Sequence, residues 1–250
     1  YNSATFTSTQ NYSWTNQNIL SYVKEFNKNH RINATAVIEQ QYSNNMNNKS
    51  EGRELISEEI GANNTSLAKK VYGSSGHTRS FMLSYMARVN YVLMNRYMLT
   101  ASWRYDGSSN LSSEKRWEQF PSMALAWNMK EESFLRGVDF LSQLKLRVGY
   151  GETGNQAVAA YSAWTELEAT RDANDNLTLT TKRIGTKGLR WERTKQWNVG
   201  IDFGVFNNRL TFTVDVYDKL TKDALLDVTA PLYTGFKTRL KNAAEIRNKG

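Results

Sequence analysis

Residues 81–106 read FMLSYMARVNYVLMNRYMLTASWRYD, and this stretch decides the fold class. Two runs with an apolar or aromatic residue at every second position flank a tight connection near residues 94–96. These residues are Phe81, Leu83, Tyr85, Ala87, Val89 and Tyr91 in the first run, and Tyr97, Leu99, Ala101, Trp103 and Tyr105 in the second. Because successive side chains of a β-strand point to opposite faces, the period of two predicts a hairpin with one apolar and one largely polar face.

The same alternation recurs along the chain, in the segments 32–38, 144–150, 197–203 and 210–216. Counting every such segment gives about ten strands. Most of them are longer than the roughly 5–6 residues that are usual in globular proteins. The sequence therefore predicts an all-β, antiparallel fold.

The predicted connections fall into two sizes. Short ones, at 27–30, 95–96 and 206–208, all contain Asn, which tolerates the left-handed backbone of a tight turn. Long polar ones are expected at about 43–78, 107–119 and 222–238. The segment 160–185 fits either one extra hairpin or an external excursion. Short turns at one end and long loops at the other are typical of bacterial outer-membrane β-barrels.

A soluble β-sandwich binding module would also show alternating strands, with one face buried and the other wet. Three features favour a membrane barrel instead. The strands are long, the polar face carries Arg, Lys and Asp, and the apolar face is aromatic near its ends. The end residues are Tyr91, Tyr97, Trp103, Tyr105, Trp197 and Phe203. Aromatic residues at both ends of an apolar band match the girdles at the two bilayer interfaces.

Composition limits the classes of partner and chemistry. The 250 residues carry a formal net charge of +8, but the basic residues are scattered among acidic ones. Aromatic and charged residues lie on opposite strand faces, so no nucleic-acid-binding surface is predicted. The chain contains no cysteine, which excludes disulfides and thiolate metal sites within it. The first residue is Tyr1, and we expect the polypeptide to continue on both sides.

Three glycines, Gly149, Gly151 and Gly154, have the G-x-G-x-x-G spacing of a dinucleotide-binding turn. That turn needs a buried parallel strand before it. Here the preceding strand, 144–148, alternates Leu and Val with Lys and Arg, which is wrong for a strand covered on both faces. We therefore predict no cofactor, and interpret Gly149 as a small residue facing the barrel interior.

No catalytic or metal site is predicted. The only histidines, His30 and His77, are far apart in sequence. The segment 172–176 begins like a calcium-binding loop, but Leu177 and Arg183 replace the glycine and glutamate that such a loop requires. We interpret this segment as a polar turn, and we expect the protein not to be an enzyme.

Short motifs occur in order along most of the chain. They include Asn95-Arg96-Tyr97, Arg104-x-Asp106-Gly107-Ser108-Ser109, Arg116-Trp117-x-x-Phe120-Pro121-Ser122, Tyr150-Gly151-x-Thr153-Gly154-Asn155 and Leu189-x-Trp191-Glu192. In this order and spacing the chain resembles the SusC/RagA-type TonB-dependent transporters of the Bacteroidota outer membrane.

The resemblance implies that residues 1–250 are part of a single β-barrel domain in the bacterial outer membrane. Barrels of this transporter class have roughly 22 strands, so about ten strands cannot close the circle. The plug domain, the segment that contacts TonB and the remaining strands would lie outside this chain.

The resemblance also implies TonB-dependent import of a bulky nutrient, first an oligosaccharide and second a peptide. A SusD-like surface lipoprotein would be the partner, outer-membrane lipid would contact the barrel, and no cofactor is implied. A passive porin or another outer-membrane barrel is the first alternative, and a soluble β-sandwich module the second. The candidate substrate-binding residues, near the outer rim or in loops, are Arg104, Asp106, Asn110, Trp117, Trp164 and Glu166.

Overall fold

The computed structural model describes residues 2–59, 61–156, 158–171 and 176–250, and it is built almost wholly from β-strands. The strands are β1 (Ser3–Phe26), β2 (His30–Leu55), β3 (Ala68–Leu93), β4 (Tyr97–Ser108), β5 (Trp117–Asn128), β6 (Leu141–Asn155), β7 (Glu166–Arg171), β8 (Leu177–Arg183), β9 (Glu192–Val205), β10 (Leu210–Thr229) and β11 (Thr238–Lys249). One helical turn, α1, spans Ser133–Arg136. In the described part of the chain no helix is both long and apolar enough to cross a membrane.

Nine strands form one sheet in the order β1-β2-β3-β4-β5-β6-β9-β10-β11. From β3 onward each neighbouring pair is antiparallel. β7 and β8 pair with each other in a separate two-stranded sheet, so the segment 160–185 contains one extra hairpin. The predicted all-β, antiparallel barrel segment is confirmed.

The chain divides into two compact units, residues 1–16 with 41–81, and residues 17–40 with 82–250. In the first unit the prediction of a long connection at 43–78 is wrong. β2 continues to Leu55 and β3 begins at Ala68. Backbone pairing does not require apolar side chains, so these strands continue through polar residues where both faces are exposed to water. The connection at 222–238 is shortened in the same way in the second unit, because β10 continues to Thr229.

Cross-strand register assigns each side chain in the second unit to one of two faces, because directly opposed residues share a face. Tyr85 is opposite Tyr105, and Val199 is opposite both Val148 and Val216. We call this apolar surface the outward face and the opposite surface the inward face. The large residues of the outward face are exposed by 36% to 60%. They are Tyr85, Val89, Trp103, Leu125, Val148, Trp197, Val199, Ile201, Phe212, Val214 and Val216.

A continuous exposed apolar surface of this extent marks contact with lipid or with another protein. A soluble sandwich would cover it with a second sheet. The alternation of a lipid-facing wall with a polar wall is that of a transmembrane β-barrel.

The short connections are confirmed as tight turns at one end of the sheet. Asn27, Asn95, Asn207 and Asn208 all have φ between 56° and 59°, the left-handed region that Asn tolerates. Short turns lie at the periplasmic end of outer-membrane barrels, so the longer connections lie at the external end.

A buried carboxylate fastens the periplasmic end of β4 and β5. Glu132 lies just before α1 and is 8% exposed. Its Oε1 accepts hydrogen bonds from the Tyr97 hydroxyl at 2.6 Å and from Trp127 Nε1 at 3.0 Å, and its Oε2 accepts one from Arg96 Nη1 at 3.2 Å. The Tyr97 hydrogen bond, followed by that of Trp127, lowers the pKa of Glu132 below its ordinary value.

A pH-dependent stability follows from this carboxylate. A group with a lowered folded-state pKa stabilises the fold fully above its unfolded pKa, about 4.3 for Glu, and loses that effect as the pH falls through the folded value. The Glu132→Gln variant should therefore be less stable than the parent at pH 7 in urea unfolding, and the difference should shrink below about pH 4. Exposed Glu131 gives the control, Glu131→Gln, and a difference that does not depend on pH would contradict the assignment.

Candidate substrate-facing surface

The inward face of β3, β4 and β5 is lined by hydrogen-bonded polar side chains. The hydroxyls of Ser102 and Ser122, opposite each other on β4 and β5, are 2.7 Å apart. Thr100 donates to Asn90 Oδ1 at 2.9 Å. This wall offers hydroxyl and amide groups to water or to a polar solute.

Two predicted site residues, Arg104 and Asp106, lie together on the inward face near the external end of β4. Arg104 Nε donates to both carboxylate oxygens of Asp106, at 2.8 and 2.7 Å, and Nη2 donates to Ser84 Oγ at 3.2 Å. Asp106 is 6% exposed, whereas the Arg104 side chain is 40% exposed. The guanidinium is therefore held in position by the carboxylate and keeps an open edge toward the interior.

A second inward ion cluster was missed from the sequence. Arg147 on β6 binds Asp202 on β9 through two hydrogen bonds of 3.0 and 2.9 Å, and its Nη2 lies 2.9 Å from Asp215 Oδ1 on β10. Gly200 lies directly opposite both Arg147 and Asp215. A side chain there would collide with the Asp215 carboxylate and the Arg147 guanidinium, so the glycine makes room for the cluster.

The three glycines of the dinucleotide-like spacing lie within β6, and the described residues that follow it, 156 and 158–165, form no helix. Gly149 and Gly151 are opposite Ala124 and Ser122 on the inward face. Gly149 and Gly200 line a shallow recess of about 370 Å³ on this wall. These glycines therefore shape the inward wall.

Four buried apolar side chains fix the external loops of the second unit. They are Leu111, Phe120, Leu189 and Trp191, each at most 5% exposed. Trp191 Nε1 donates to the Arg116 carbonyl at 2.9 Å, and the Ser112 amide donates to the Leu189 carbonyl at 3.1 Å. The loop 109–116 and the segment 184–191 are thereby held against each other.

Beside this cluster the external loops enclose a cleft of about 570 Å³, which we call the loop cleft. Its lining residues are Ser112, Ser113, Glu114, Ala163, Trp164, Thr165, Gly185, Lys187 and Gly188. The predicted site residue Trp164 is 56% exposed there. The sequence analysis did not predict Glu114 or Lys187. The only local signal is at Lys187, which lies between Gly185 and Gly188.

The other three predicted site residues have different surroundings. Asn110 lies in the first of the two anchored loops, and its Nδ2 donates to the Val158 carbonyl at 3.2 Å. Trp117 lies on the outward face, opposite Gly107, and stacks on Tyr105 with ring centroids 4.8 Å apart.

The sixth, Glu166 on β7, pairs with Lys182 at 2.7 Å and Arg183 at 3.4 Å. The hydrogen bond from Lys182 lowers the pKa of Glu166. The structure thus joins Arg104 to Asp106 and places Trp164 in the loop cleft. It puts Trp117 on the opposite face of the sheet from Arg104.

Within the described ranges, no group of three or more His, Asp or Glu side chains could hold a metal ion. Residues 172–175, most of the calcium-like segment, lie outside the described residues.

Comparison with known proteins agrees with this geometry. Residues 1–250 match the family model described as TonB dependent receptor-like, beta-barrel. The chain is 34% identical over 242 residues to TonB-dependent receptor P26 of Formosa agariphila, covering 95% of this chain and 24% of that protein. It is 40% identical over 181 residues to TonB-dependent receptor SusC of Bacteroides thetaiotaomicron, covering 69% of this chain and 18% of SusC.

Among solved structures, that of the RagAB peptide transporter superposes with a TM-score of 0.88 at 25% identity, covering 98% of this chain and 28% of the other. The chain therefore spans only 18% to 28% of the length of these relatives. The lipid-facing wall, the polar inward wall and the family match over residues 1–250 all indicate the same kind of membrane β-barrel. The chain belongs to the TonB-dependent receptor-like β-barrel family of outer-membrane transport proteins, which are not enzymes.

Proposed function

We propose that the full-length protein imports a bulky nutrient across the outer membrane in a TonB-dependent manner. The observation that carries the proposal is a two-sided wall, apolar outward and polar inward, in a chain that matches this receptor barrel from end to end. Residues 1–250 would be part of one barrel domain of roughly 22 strands, with the plug domain and the other strands elsewhere in the protein.

A passive porin would have the same two-sided wall, and the energy source distinguishes it from an importer. Uptake by cells that carry the full-length protein should stop when TonB is deleted or the proton gradient is collapsed. Uptake that continues at the same rate in both conditions would support the porin and contradict the proposal.

We infer that the substrate is an oligosaccharide and that the loop cleft contacts it. Trp164 presents an open ring, and Glu114 and Lys187 line the same cleft. An aromatic ring packs against the apolar face of a sugar, while carboxylate, ammonium and hydroxyl groups can hydrogen-bond its hydroxyls. A SusD-like surface lipoprotein is the proposed partner, by likeness to SusC. A peptide is the second candidate substrate, because the similar RagAB structure is that of a peptide transporter.

The Trp164→Ala variant tests this assignment. Loss of one ring contact of about 0.5–1.5 kcal/mol should weaken oligosaccharide binding by about 2- to 12-fold. Binding of an oligosaccharide panel and an oligopeptide panel to the full-length transporter can be measured by calorimetry in detergent. The matched control is Trp197→Ala, since Trp197 is also 56% exposed but lies on the outward face.

Oligosaccharide binding should be weakened in the Trp164 variant and unchanged in the Trp197 variant. Equal binding by both variants and the parent would remove the loop cleft from the substrate path. Binding of the peptides alone would replace the sugar by the second candidate.

A further inference from the structure

A row of cations lies on the outward face of β9, β10 and β11. We call it the basic ladder, and its members are Arg193, Lys195, Lys222, Arg247 and Lys249. The proposed import mechanism uses none of them, because they lie on the wall opposite to the one that lines the interior.

Register places four of the five cations on the external side of the aromatic pair Tyr150 and Trp197, and the fifth, Lys249, level with that pair. Tyr150 on β6 is opposite Trp197 on β9, with ring centroids 4.6 Å apart. The next outward-facing pair toward the loops is Glu152 with Lys195. Aromatic rings of membrane barrels lie at the level of the lipid headgroups, so a cation one or two positions further out reaches the phosphate layer.

The same levels continue across β10 and β11. Trp197 is opposite Asp218, which is in turn opposite Lys249. One step further out, Leu220 lies between Lys195 and Arg247. The ladder therefore extends over three neighbouring strands. Lys249 is level with Trp197, Lys195 and Arg247 lie two residues further out, and Arg193 lies opposite Lys222 four residues further out.

Two carboxylates beside the basic ladder each pair with two of its cations, so positive charge is in excess. Glu152, with a side chain only 5% exposed, lies 2.5 Å from Arg193 Nε and 3.4 Å from Lys195 Nζ. Asp218 likewise lies 2.5 Å from Arg247 Nη2 and 3.7 Å from Lys249 Nζ. Two carboxylates thus serve four cations.

The remaining acidic neighbours do not cancel this excess. Lys222 has its own partner in Glu245 at 3.6 Å, and Glu118 reaches Arg193 only at 3.9 Å. Five cations therefore face at most four carboxylates. The cations keep 30% to 60% of their side-chain surface exposed, so an external acceptor can approach them.

We propose that the basic ladder binds the phosphate groups of anionic lipid headgroups in the outer leaflet. Arg and Lys form short, charge-assisted hydrogen bonds with phosphate oxygens, and their long side chains extend toward the headgroup layer. The aromatic pair Tyr150 and Trp197 lies beside the ladder and belongs to the lipid boundary. A lipid is therefore a better ligand for the ladder than a soluble protein. Exposed ion pairs add little stability by themselves, so stability alone does not account for the row.

The test uses the full-length protein in nanodiscs of equal parts phosphatidylglycerol and phosphatidylcholine. Native mass spectrometry counts the phosphatidylglycerol molecules retained as detergent is added. In the ladder variant, Lys195→Gln with Arg247→Gln, retention should weaken by about 5- to 30-fold, the effect expected of two basic side chains near a charged surface. Phosphatidylcholine retention should not change.

The control variant, Lys145→Gln with Lys219→Gln, removes the same charge from the inward face. Heat-modifiable migration on gels verifies that both variants are folded barrels. Phosphatidylglycerol retention that is unchanged in the ladder variant, or equally weakened in the control, would overturn the proposal. A change of oligomeric state in pure phosphatidylcholine would also overturn it, since the surface would then bind a second copy of the protein.

Discussion

Replacing Trp191 by Ala should lower the free energy of unfolding by about 3–5 kcal/mol, the usual effect of removing a large buried aromatic side chain. Trp191 is 4% exposed and makes an edge contact with Phe120, their ring centroids 5.6 Å apart. The variant also loses the hydrogen bond from the indole to the Arg116 carbonyl. Because this ring holds two loops together, oligosaccharide binding should weaken along with stability.

Urea unfolding of the full-length protein in detergent micelles measures the effect. Trp164→Ala is the matched comparison, because Trp164 is exposed and its loss should reduce binding without a comparable loss of stability. If Trp191→Ala unfolds at the same urea concentration as the parent, the buried cluster does not anchor the external loops.

A charge in the middle of the outward face should be nearly as damaging. Val214 lies on β10 between Phe212 and Val216, and it is 57% exposed in the chain taken alone. Arginine at the bilayer midplane of a barrel costs about 2–4 kcal/mol. Val214→Arg should therefore lower the stability of the reconstituted barrel by that amount, and should reduce its yield in the outer membrane.

The adjacent residue supplies a control at matched depth. Thr213 is on the inward face, where its hydroxyl donates to Asp202 at 3.3 Å. Thr213→Arg would face the carboxylates of Asp202 and Asp215, so it should cost much less than Val214→Arg. Equal losses in folding experiments with lipid vesicles would show that the two faces do not differ in environment.

The sequence alone predicts those parts of the fold where one strand face meets lipid. In the stretch 81–106 the environment alternates with each residue, so the period of two appears in the letters. The outer parts of β2 and β3 carry no such signal, because polar residues on both faces leave no period to detect. For the same reason the sequence pattern predicts a loop at Trp117, whereas β5 begins there and the ring lies on the outward face.

The site was less predictable because it depends on register and on loop packing. Arg104 and Asp106 are two residues apart on one strand, and local spacing was enough to pair them. Arg147 and Asp202 are 55 residues apart in the sequence, and only the register of β6 against β9 brings them together. The loop cleft depends on three loops meeting over the buried Trp191, a contact that no local pattern encodes.

The central claim, that the outward face meets lipid and the inward face meets water, can be measured residue by residue along β10. The chain contains no cysteine, so a cysteine introduced at each position 211–216 is unique within these 250 residues. Each is labelled with a fluorophore in the reconstituted full-length protein and exposed to brominated lipid or to aqueous iodide. The account predicts quenching by brominated lipid at 212, 214 and 216, and by iodide at 211, 213 and 215. Quenching that does not alternate, or that alternates in the opposite sense, would contradict it.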